Sequence, residues 1–297
     1  MSLAIEIKNN EVILVDAKVT KNRIQVKSTH SFGFEESMIN QQGIVDSDNF
    51  SLVLSQQLSQ FKSREKNCNV CINNNSIIYR EILVPKVDEK RLPFLVRSEM
   101  MSALHLTPDY LVDYVPLEEV ERDGHPMYRV LAVAILEVAI ESYLKTLKKA
   151  NLKVNTIDTV TNSIIKLVDT FGLSKTESQF IVADVQKGQL KLYLFDEGVY
   201  VLARNTKLTS NLDEEAMNVD EIIESISKMN QFTFTRNNKG INHIIYLGLD
   251  SVLKELSNGV EETLNIPGKI FNEVINKDNQ SSFENKHVNA IGVLLRK

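Results

Sequence analysis

The sequence contains two cysteines in the C-x-x-C spacing that can serve redox or zinc chemistry. Cys68 and Cys71 lie in the stretch NCNVCINNN, whose alternating polar and apolar residues indicate a strand. A redox pair of this spacing opens a helix, and a zinc site needs two further ligands at suitable spacing. The pattern therefore predicts two ordinary thiols in a reducing cytoplasm.

Other residue types that could support catalysis are scattered along the chain. Neither the G-x-S-x-G nucleophile motif nor the P-loop motif G-x-x-x-x-G-K-[ST] occurs. Asp109 and Asp113 are close in sequence, but paired carboxylates support acid–base chemistry only when they are shown to lie close together. We interpret both as surface groups and identify no catalytic residue. We also predict no metal site, because no two histidines are four residues apart; they are His30, His105, His125, His243 and His287.

The composition is typical of a soluble globular protein. Of 297 residues, 43% are hydrophobic and 25% are charged, which predicts a packed core. The formal net charge of −5 argues against nucleic acid as a main partner, because phosphate binding needs a basic face. No run of about 18 apolar residues is present, so we expect no membrane-spanning helix. The N-terminus lacks the pattern of a signal peptide.

The stretch 77–152 predicts a unit of strand, helix, strand, strand and helix. Residues 77–84 are dense in β-branched side chains, as expected of a buried strand. The apolar period then lengthens to that of a helix, with Asp88 as its expected N-cap. Residues 129–136 form an unbroken apolar strand that continues into a second helix, whose expected buried side is Ile140, Leu144 and Leu147. Such a unit is too small to be the whole protein, so we interpret it as an insert.

The pattern at the start of the chain returns in its second half. Residues 3–32 predict three strands joined by short polar turns, and residues 179–205 predict the same layout. Two such β-meanders, each followed by helical segments, fit the two lobes of an actin-like ATPase. The predicted class is therefore α/β, with an actin-like (ribonuclease H-like) two-lobed fold and a small inserted α+β subdomain.

Short motifs occur in a consistent order along nearly the whole chain. The insert has a strand ending R-x-I-x-x-P, here Arg80, Ile82 and Pro85, and later the pair Asp113 and Tyr114. In this order the motifs resemble the PilM family, the cytoplasmic actin-like proteins of type IV pilus assembly, which are related in fold to the cell-division protein FtsA. Further matching residues are Leu131, Val133, Ala134, Ala150, Leu152, Ile157, Asp158, Ala290, Ile291 and Gly292.

The resemblance implies a division of the chain into lobes. The first actin-like lobe would cover residues 1–75 and, after the inserted subdomain at 76–152, residues 153–176. The second actin-like lobe would cover residues 177–297.

The resemblance also locates a nucleotide cleft, and the chain departs from the family there. Backbone N–H groups at glycine-assisted turns can approach a phosphate closely. The family carries D-I-G at both phosphate turns, whereas this chain has Glu6, Ile7 and Lys8 at the first turn. At the second turn only Asp184 is retained. We therefore expect a degenerate cleft and no cofactor; if ATP and Mg still bind, the expected residues are Lys8, Asn9, Asn10, Asp184, Gln186, Lys187 and Gly248.

By the same resemblance, the function is to bind a partner. The cytoplasmic tail of a PilN-like membrane protein would dock as an extended peptide between the insert and the first lobe. The chain would stay cytoplasmic, peripheral to the membrane through its partners, and would couple the membrane platform to the pilus assembly ATPase. The residues expected to contact the tail are Tyr79, Arg80, Ile82, Leu92, Phe94 and Leu95.

Two other functions remain open. One is an ATP-binding, slowly hydrolysing PilM-like ATPase that polymerises, for which Lys8 and Gln186 are the discriminating residues. The other is the cytoplasmic domain of a type II secretion protein of the same superfamily. Such a protein continues into a transmembrane helix, and the sequence reaches Lys297 without one.

Overall fold

The computed structural model describes residues 2–20, 23–61, 63, 65–173, 179–209, 218–275 and 283–295. Within these ranges the first elements are β1 (Ser2–Ile7), β2 (Glu11–Thr20), β3 (Arg23–Gly33), β4 (Ile39–Asn40), β5 (Gly43–Ile44), α1 (Ser47–Phe61), β6 (Asn67–Ile72), β7 (Ile78–Pro85), α2 (Leu92–Leu104), β8 (Tyr110–Arg122), β9 (His125–Leu136), α3 (Glu137–Lys149), β10 (Lys153–Thr159) and α4 (Val160–Thr170). They are followed by β11 (Gln179–Gln186), β12 (Gln189–Asp196), β13 (Val199–Lys207), α5 (Val219–Asn237), β14 (His243–Gly248), α6 (Asp250–Leu264), β15 (Gly268–Ile270), α7 (Phe271–Ile275) and α8 (Val288–Gly292).

One mixed sheet has the strand order β10-β6-β1-β2-β3. The predicted opening hairpin is confirmed: the backbone N–H of Lys8 donates to the carbonyl of Glu11 at 2.9 Å and closes the turn between β1 and β2. β10 runs parallel to β6, which places Asp158 beside Cys71 and Thr159 beside Ile72. Both cysteines are buried in β6 and neither forms a disulfide, as the sequence predicts.

The predicted insert contains a separate antiparallel sheet in the order β7-β9-β8. One face of this sheet packs against α2 through a core that includes Val96 and Met100. The position of Pro93 predicts either a kink or a late helix start, and the late start is observed: α2 begins at Leu92, which leaves Pro93 in the first turn, where its missing N–H costs nothing. The expectation that Asp88 is the N-cap is wrong. Its carboxylate instead accepts hydrogen bonds from the backbone of Lys90 and Arg91, in the turn that precedes the helix.

The helix α3 follows β9 and packs against α1 and β5. Its buried side is Ala139, Tyr143, Thr146 and Leu147, a stripe one position away from the expected one. The prediction is right for Leu147 and wrong for Leu144, whose side chain is 42% exposed. The Thr146 hydroxyl donates to the hydroxyl of Ser47 at 3.0 Å and ties α3 to the start of α1.

A second mixed sheet has the order β13-β12-β11-β14-β15. β11, β12 and β13 form the predicted second meander, and β14 joins β11 in parallel. α5 and α6 bury one apolar side each against this sheet. The sequence also predicts a helix over residues 213–234, and its predicted start lies outside the described residues. Within them, α5 begins at Val219 and the Asn218 side chain caps it. No helix within the described ranges is both long enough and apolar enough to cross a membrane.

Contacts divide the chain into two compact units. One unit, here called the pocket unit, comprises Ile5–Leu14 and His30–Asn162. The other, here called the C-terminal unit, comprises Met1–Ala4, Val15–Thr29 and Ser163–Lys297. The lobe boundaries expected from the sequence stay a prediction.

Candidate functional site

A pocket of about 240 Å³ lies in the pocket unit, on the face of the β7–β9–β8 sheet that α2 leaves uncovered. Alternate residues of a strand face opposite sides of a sheet, so β9 is apolar on both faces. The residues of β9 that pack towards α2 are Val130, Ala132 and Ala134, and those that line the pocket are Leu131, Val133 and Ile135. Ile140 of α3 and Ile157 of β10 complete the apolar wall.

Tyr79 of β7 lines the pocket. Burial raises the pKa of its phenol to about 12. The phenol is therefore neutral at physiological pH.

The polar end of the pocket is built where β10 passes into α4. Thr159 caps the helix, because its hydroxyl accepts a hydrogen bond from the backbone N–H of Asn162 at 3.3 Å. The Asn162 side-chain amide donates to the Asp158 carboxylate at 2.8 Å, which fixes the orientation of the amide. The other end of that amide, Oδ1, is buried and accepts no hydrogen bond within the described residues.

The pocket lining carries negative charge. Asp158 and Asp113 are in the lining, and Lys, Arg and His are absent from the described residues that form it.

Arg129 joins all three strands of the insert sheet. Its guanidinium donates to Glu81 of β7 and to Glu118 of β8, at 2.6 Å in each case. The Arg129 side chain is only 12% exposed, whereas the two carboxylates are partly exposed. The interaction holds both edge strands to β9 beside the pocket.

Two polar side chains of the expected first phosphate turn bond to acidic side chains of the protein. Lys8 is largely buried, and its ammonium group contacts the Glu11 carboxylate at 3.0 Å. Asn10 donates to Glu36 at 3.4 Å, and Asn9 is exposed. The Lys8 ammonium group thus pairs with an acidic side chain, whereas a lysine that awaits a phosphate would be solvated.

The residues of the expected second phosphate turn lie in the C-terminal unit. Asp184 of this turn also forms hydrogen bonds within the protein. Asp184 is buried in β11, where its carboxylate accepts hydrogen bonds from the side chains of Gln186 at 2.5 Å and Asn289 at 2.9 Å. Lys187 is exposed in the turn that follows. A bound phosphate would have to compete with these bonds.

Gly248, one of the residues expected to bind nucleotide, has a structural reason to be glycine. Its φ is +111°, and a Cβ at this position would lie 1.9 Å from the carbonyl oxygen of Val185. The close approach lets the end of β14 pack onto β11, where the backbone N–H of Leu249 donates to that same carbonyl at 2.9 Å.

Comparison with known proteins identifies the family. The family model described as Type IV pilus assembly protein PilM matches residues 4–219. The chain belongs to the PilM family. A comparison with curated protein sequences gave no match.

Two solved structures confirm the predicted actin-like fold of this PilM-family chain. A PilM-PilN type IV pilus biogenesis complex is 17% identical, with a TM-score of 0.78, over 98% of this chain and 97% of that one. A Bacteroides thetaiotaomicron protein of unknown function with an actin-like ATPase fold is 12% identical, with a TM-score of 0.54, over 98% and 95% of the two chains.

The residues expected to contact a tail are dispersed in this PilM-family chain. Tyr79 alone of the six lines the pocket. Ile82 and Leu92 lie in the core between α2 and its sheet, which corrects the expectation that they form a docking wall, because the helix already covers them. Arg80 is exposed and Leu95 is partly buried. Phe94 is 75% exposed on the outer side of α2, away from the pocket lining.

Sequence reasoning did not find most of the pocket lining. The unbroken apolar run of β9 was a usable signal, because a strand that is apolar at consecutive positions must be covered on both faces. No sequence pattern indicated that Ile157, Asp158 and Asn162 line the pocket. They reach the pocket only because β10 pairs with β6.

Proposed function

We propose that this PilM-family chain is a cytoplasmic scaffold of a type IV pilus or of a related competence or secretion system. In this role it binds the cytoplasmic tail of a PilN-like membrane protein and has no active nucleotide site. The observation that carries the proposal is the apolar pocket on the face of the insert sheet opposite α2.

The size and lining of the pocket favour a peptide. Its volume of about 240 Å³ is below the roughly 300–1,000 Å³ of typical small-molecule sites. Its lining consists mostly of aliphatic side chains, and most of these lie on strands. A tail in extended conformation can place alternate aliphatic side chains into such a pocket while its backbone stays outside.

The identity of the occupant is supported by the solved relative. That structure is a complex of PilM with PilN, and its PilM-like fold matches this chain over 98% of its length. We therefore assign the pocket to the tail of a PilN-like protein. Attachment through that partner would hold the chain at the inner face of the membrane and connect it to the pilus assembly ATPase.

A degenerate nucleotide cleft is the second part of the proposal. It is supported by the ion pair between Lys8 and Glu11, by the hydrogen bonds of Asp184 to Gln186 and Asn289, and by the absence of glycine from both D-I-G positions. We propose that neither ATP nor Mg is needed for tail binding.

Calorimetry with a synthetic tail tests the first part. The probe is a peptide with the sequence of the cytoplasmic tail of the PilN-like protein from the same organism. Leu111 lines the pocket yet is 37% exposed, so Leu111→Asp should preserve the fold and weaken tail binding at least tenfold. The matched control is Leu52→Asp on α1, which is exposed outside the pocket and should bind normally. Equal affinity of the two variants would contradict the assignment.

A further inference from the structure

We propose that the outer edge of β8 is closed to the addition of a further strand, and that Asp113 and Pro116 of β8 and Arg97 of α2 close it. β8 is an edge strand of the insert sheet, whose order is β7-β9-β8. An edge strand presents backbone N–H and C=O groups to which a strand of another molecule can add. The closure is a property of this edge and does not depend on what binds in the pocket.

The direction of the backbone groups of β8 follows from its pairing with β9. In an antiparallel pair, residues that exchange hydrogen bonds with the partner strand alternate with residues whose N–H and C=O point away from it. The N–H of Glu137 donates to the carbonyl of Asp109 at 2.8 Å, directly before β8. The register then continues without a shift as far as Pro116. The residues whose backbone groups point outward are therefore Tyr110, Val112, Tyr114 and Pro116.

Asp113 takes up one of these outward donors. Its carboxylate accepts a hydrogen bond from the backbone N–H of Tyr114 at 2.8 Å. That N–H points to the place where the carbonyl of an added strand would lie. An added strand would have to displace the carboxylate, and hydrogen bonds to a charged acceptor are stronger than those to a neutral carbonyl.

Pro116 removes a second outward donor, because proline has no N–H. Within sheets, proline is confined to edge strands and bulges, and here it has both positions. The register between β8 and β9 shifts between Pro116 and Glu118, so that Leu117 is an extra residue in β8. A bulge bends the strand and increases its twist, which makes the edge a poorer match for a regular partner strand.

Arg97 closes the start of the edge from α2. Its guanidinium donates to the carbonyl of Tyr110 at 2.9 Å and to that of Pro108 at 3.2 Å. The N–H of Tyr110 donates to the carbonyl of Thr107 at 3.2 Å, so both outward groups of Tyr110 are engaged within the protein. Val112 thus lies between two residues whose N–H groups are already bonded. A single hydrogen-bonded pair contributes too little to hold a strand.

The partner that this edge excludes is a second copy of the chain. β8 is 13 residues long, and an edge strand of this length is a template for pairing with an identical strand. Antiparallel pairing of β8 with itself would create a two-fold symmetric dimer, the commonest form of self-association. We therefore expect that opening the edge converts the chain into a dimer joined through β8.

The test restores the missing donors and measures self-association by sedimentation velocity over a wide range of concentration. The open variant combines Asp113→Ala with Pro116→Val. The matched control combines Asp113→Asn with Pro116→Val, which loses the same charge and the same proline but keeps a side-chain oxygen that accepts from Tyr114. Both positions are exposed, so both variants should fold. The open variant should associate roughly tenfold more strongly than the control. Equal association of the two variants would overturn the proposal.

Hydrogen exchange shows whether the association uses β8. The amide of Tyr114 should be protected in the open variant at high concentration and should lose that protection on dilution. Association without this protection would place the interface elsewhere and would also overturn the proposal. If the open variant does not fold, the single substitutions Asp113→Ala and Asp113→Asn are compared. The amide of Tyr114 should exchange about tenfold faster with alanine than with asparagine. Equal exchange would show that the side chain at this position does not hold the N–H.

Discussion

The side-chain amide of Asn289 donates a hydrogen bond to the Asp184 carboxylate at 2.9 Å, and both side chains are buried. The two residues are 105 positions apart in the chain. Their bond ties the segment of α8 to the end of β11, beside the turn where the sequence comparison with the family predicts a phosphate contact. In this chain the carboxylate has become part of the protein's own packing.

Replacement of Asn289 tests that structural role. Asn289→Ala removes a donor from a buried carboxylate and should lower the free energy of unfolding by about 1–3 kcal/mol. Urea unfolding followed by circular dichroism measures the change. Asn205→Ala is the control, since Asn205 accepts an exposed hydrogen bond from Gln189 and its loss should be near neutral. If Asn289→Ala lowers the free energy of unfolding no more than Asn205→Ala does, the hydrogen bond from Asn289 does not stabilise the buried Asp184 carboxylate.

The proposal of a degenerate nucleotide cleft predicts that the chain does not respond to nucleotide. A site occupied at a hundred times its Kd would raise the free energy of unfolding by about 2.7 kcal/mol. We expect millimolar Mg·ATP to leave the melting temperature unchanged, compared with magnesium chloride at the same ionic strength. A rise in melting temperature specific to Mg·ATP would instead favour the ATPase alternative, and Lys8, Asp184 and Lys187 would be the residues to replace.

Arg129 should be a determinant of stability in the insert. Arg129→Ala leaves Glu81 and Glu118 without their shared cation, and we expect a loss of about 1–3 kcal/mol, moderated because both carboxylates are partly exposed. Lys86→Ala is the control, because it breaks a surface pair with Glu119 in the same sheet and should not change the unfolding midpoint. Chemical denaturation compares the two variants, and equal midpoints would contradict a special role for Arg129.

Alanine substitutions at two glycines measure the stability cost of backbone strain separately from that of steric overlap. Both Gly248 and Gly124 have positive φ, at +111° and +76°, but only Gly248 has a backbone atom where a Cβ would lie. Gly124→Ala should therefore cost about 1–2 kcal/mol through its conformation alone. Gly248→Ala adds the overlap with Val185 and should cost clearly more, or prevent soluble expression. Similar unfolding midpoints for the two variants would refute the close packing of β14 on β11.

The buried phenol of Tyr79 predicts a pH dependence in the alkaline range. Its folded-state pKa is raised to about 12 from an ordinary value of 10, so its contribution to stability is complete below pH 10 and is lost as pH rises from 10 to 12. A shift of this size corresponds to about 2–3 kcal/mol. The stability difference between the unmodified chain and Tyr79→Phe should shrink over this range in urea titrations. A difference independent of pH would mean that Tyr79 is solvated.

Much of the fold is predictable from sequence because its signals are local. The alternation and polar turns of the two meanders, and the change of period after Pro85, each depend on neighbouring residues. The errors are local too. At α2, the sequence favours Asp88 as the cap because it precedes the apolar stripe, but the hydrogen bonds it accepts lie in a separate turn before Leu92.

The candidate site is less predictable because its parts are distant in sequence. Leu131 and Val133 indicate a strand covered on both faces, but not what covers the second face. Asn162 reaches the pocket through strand pairing far along the chain, and Asn289 reaches Asp184 through packing between segments equally far apart. No local pattern distinguishes these asparagines from those on the surface.

The pocket lining extends from Ile72 to Asn162 and includes three strands of one sheet and two strands, β6 and β10, of another. A fragment limited to the insert would keep Tyr79, Leu131 and Val133 but would lose Ile157, Asp158 and Asn162, and with them one wall and the polar end. A shortened protein designed to display the site, or to compete for the tail inside a cell, must therefore retain β6, β10 and the start of α4.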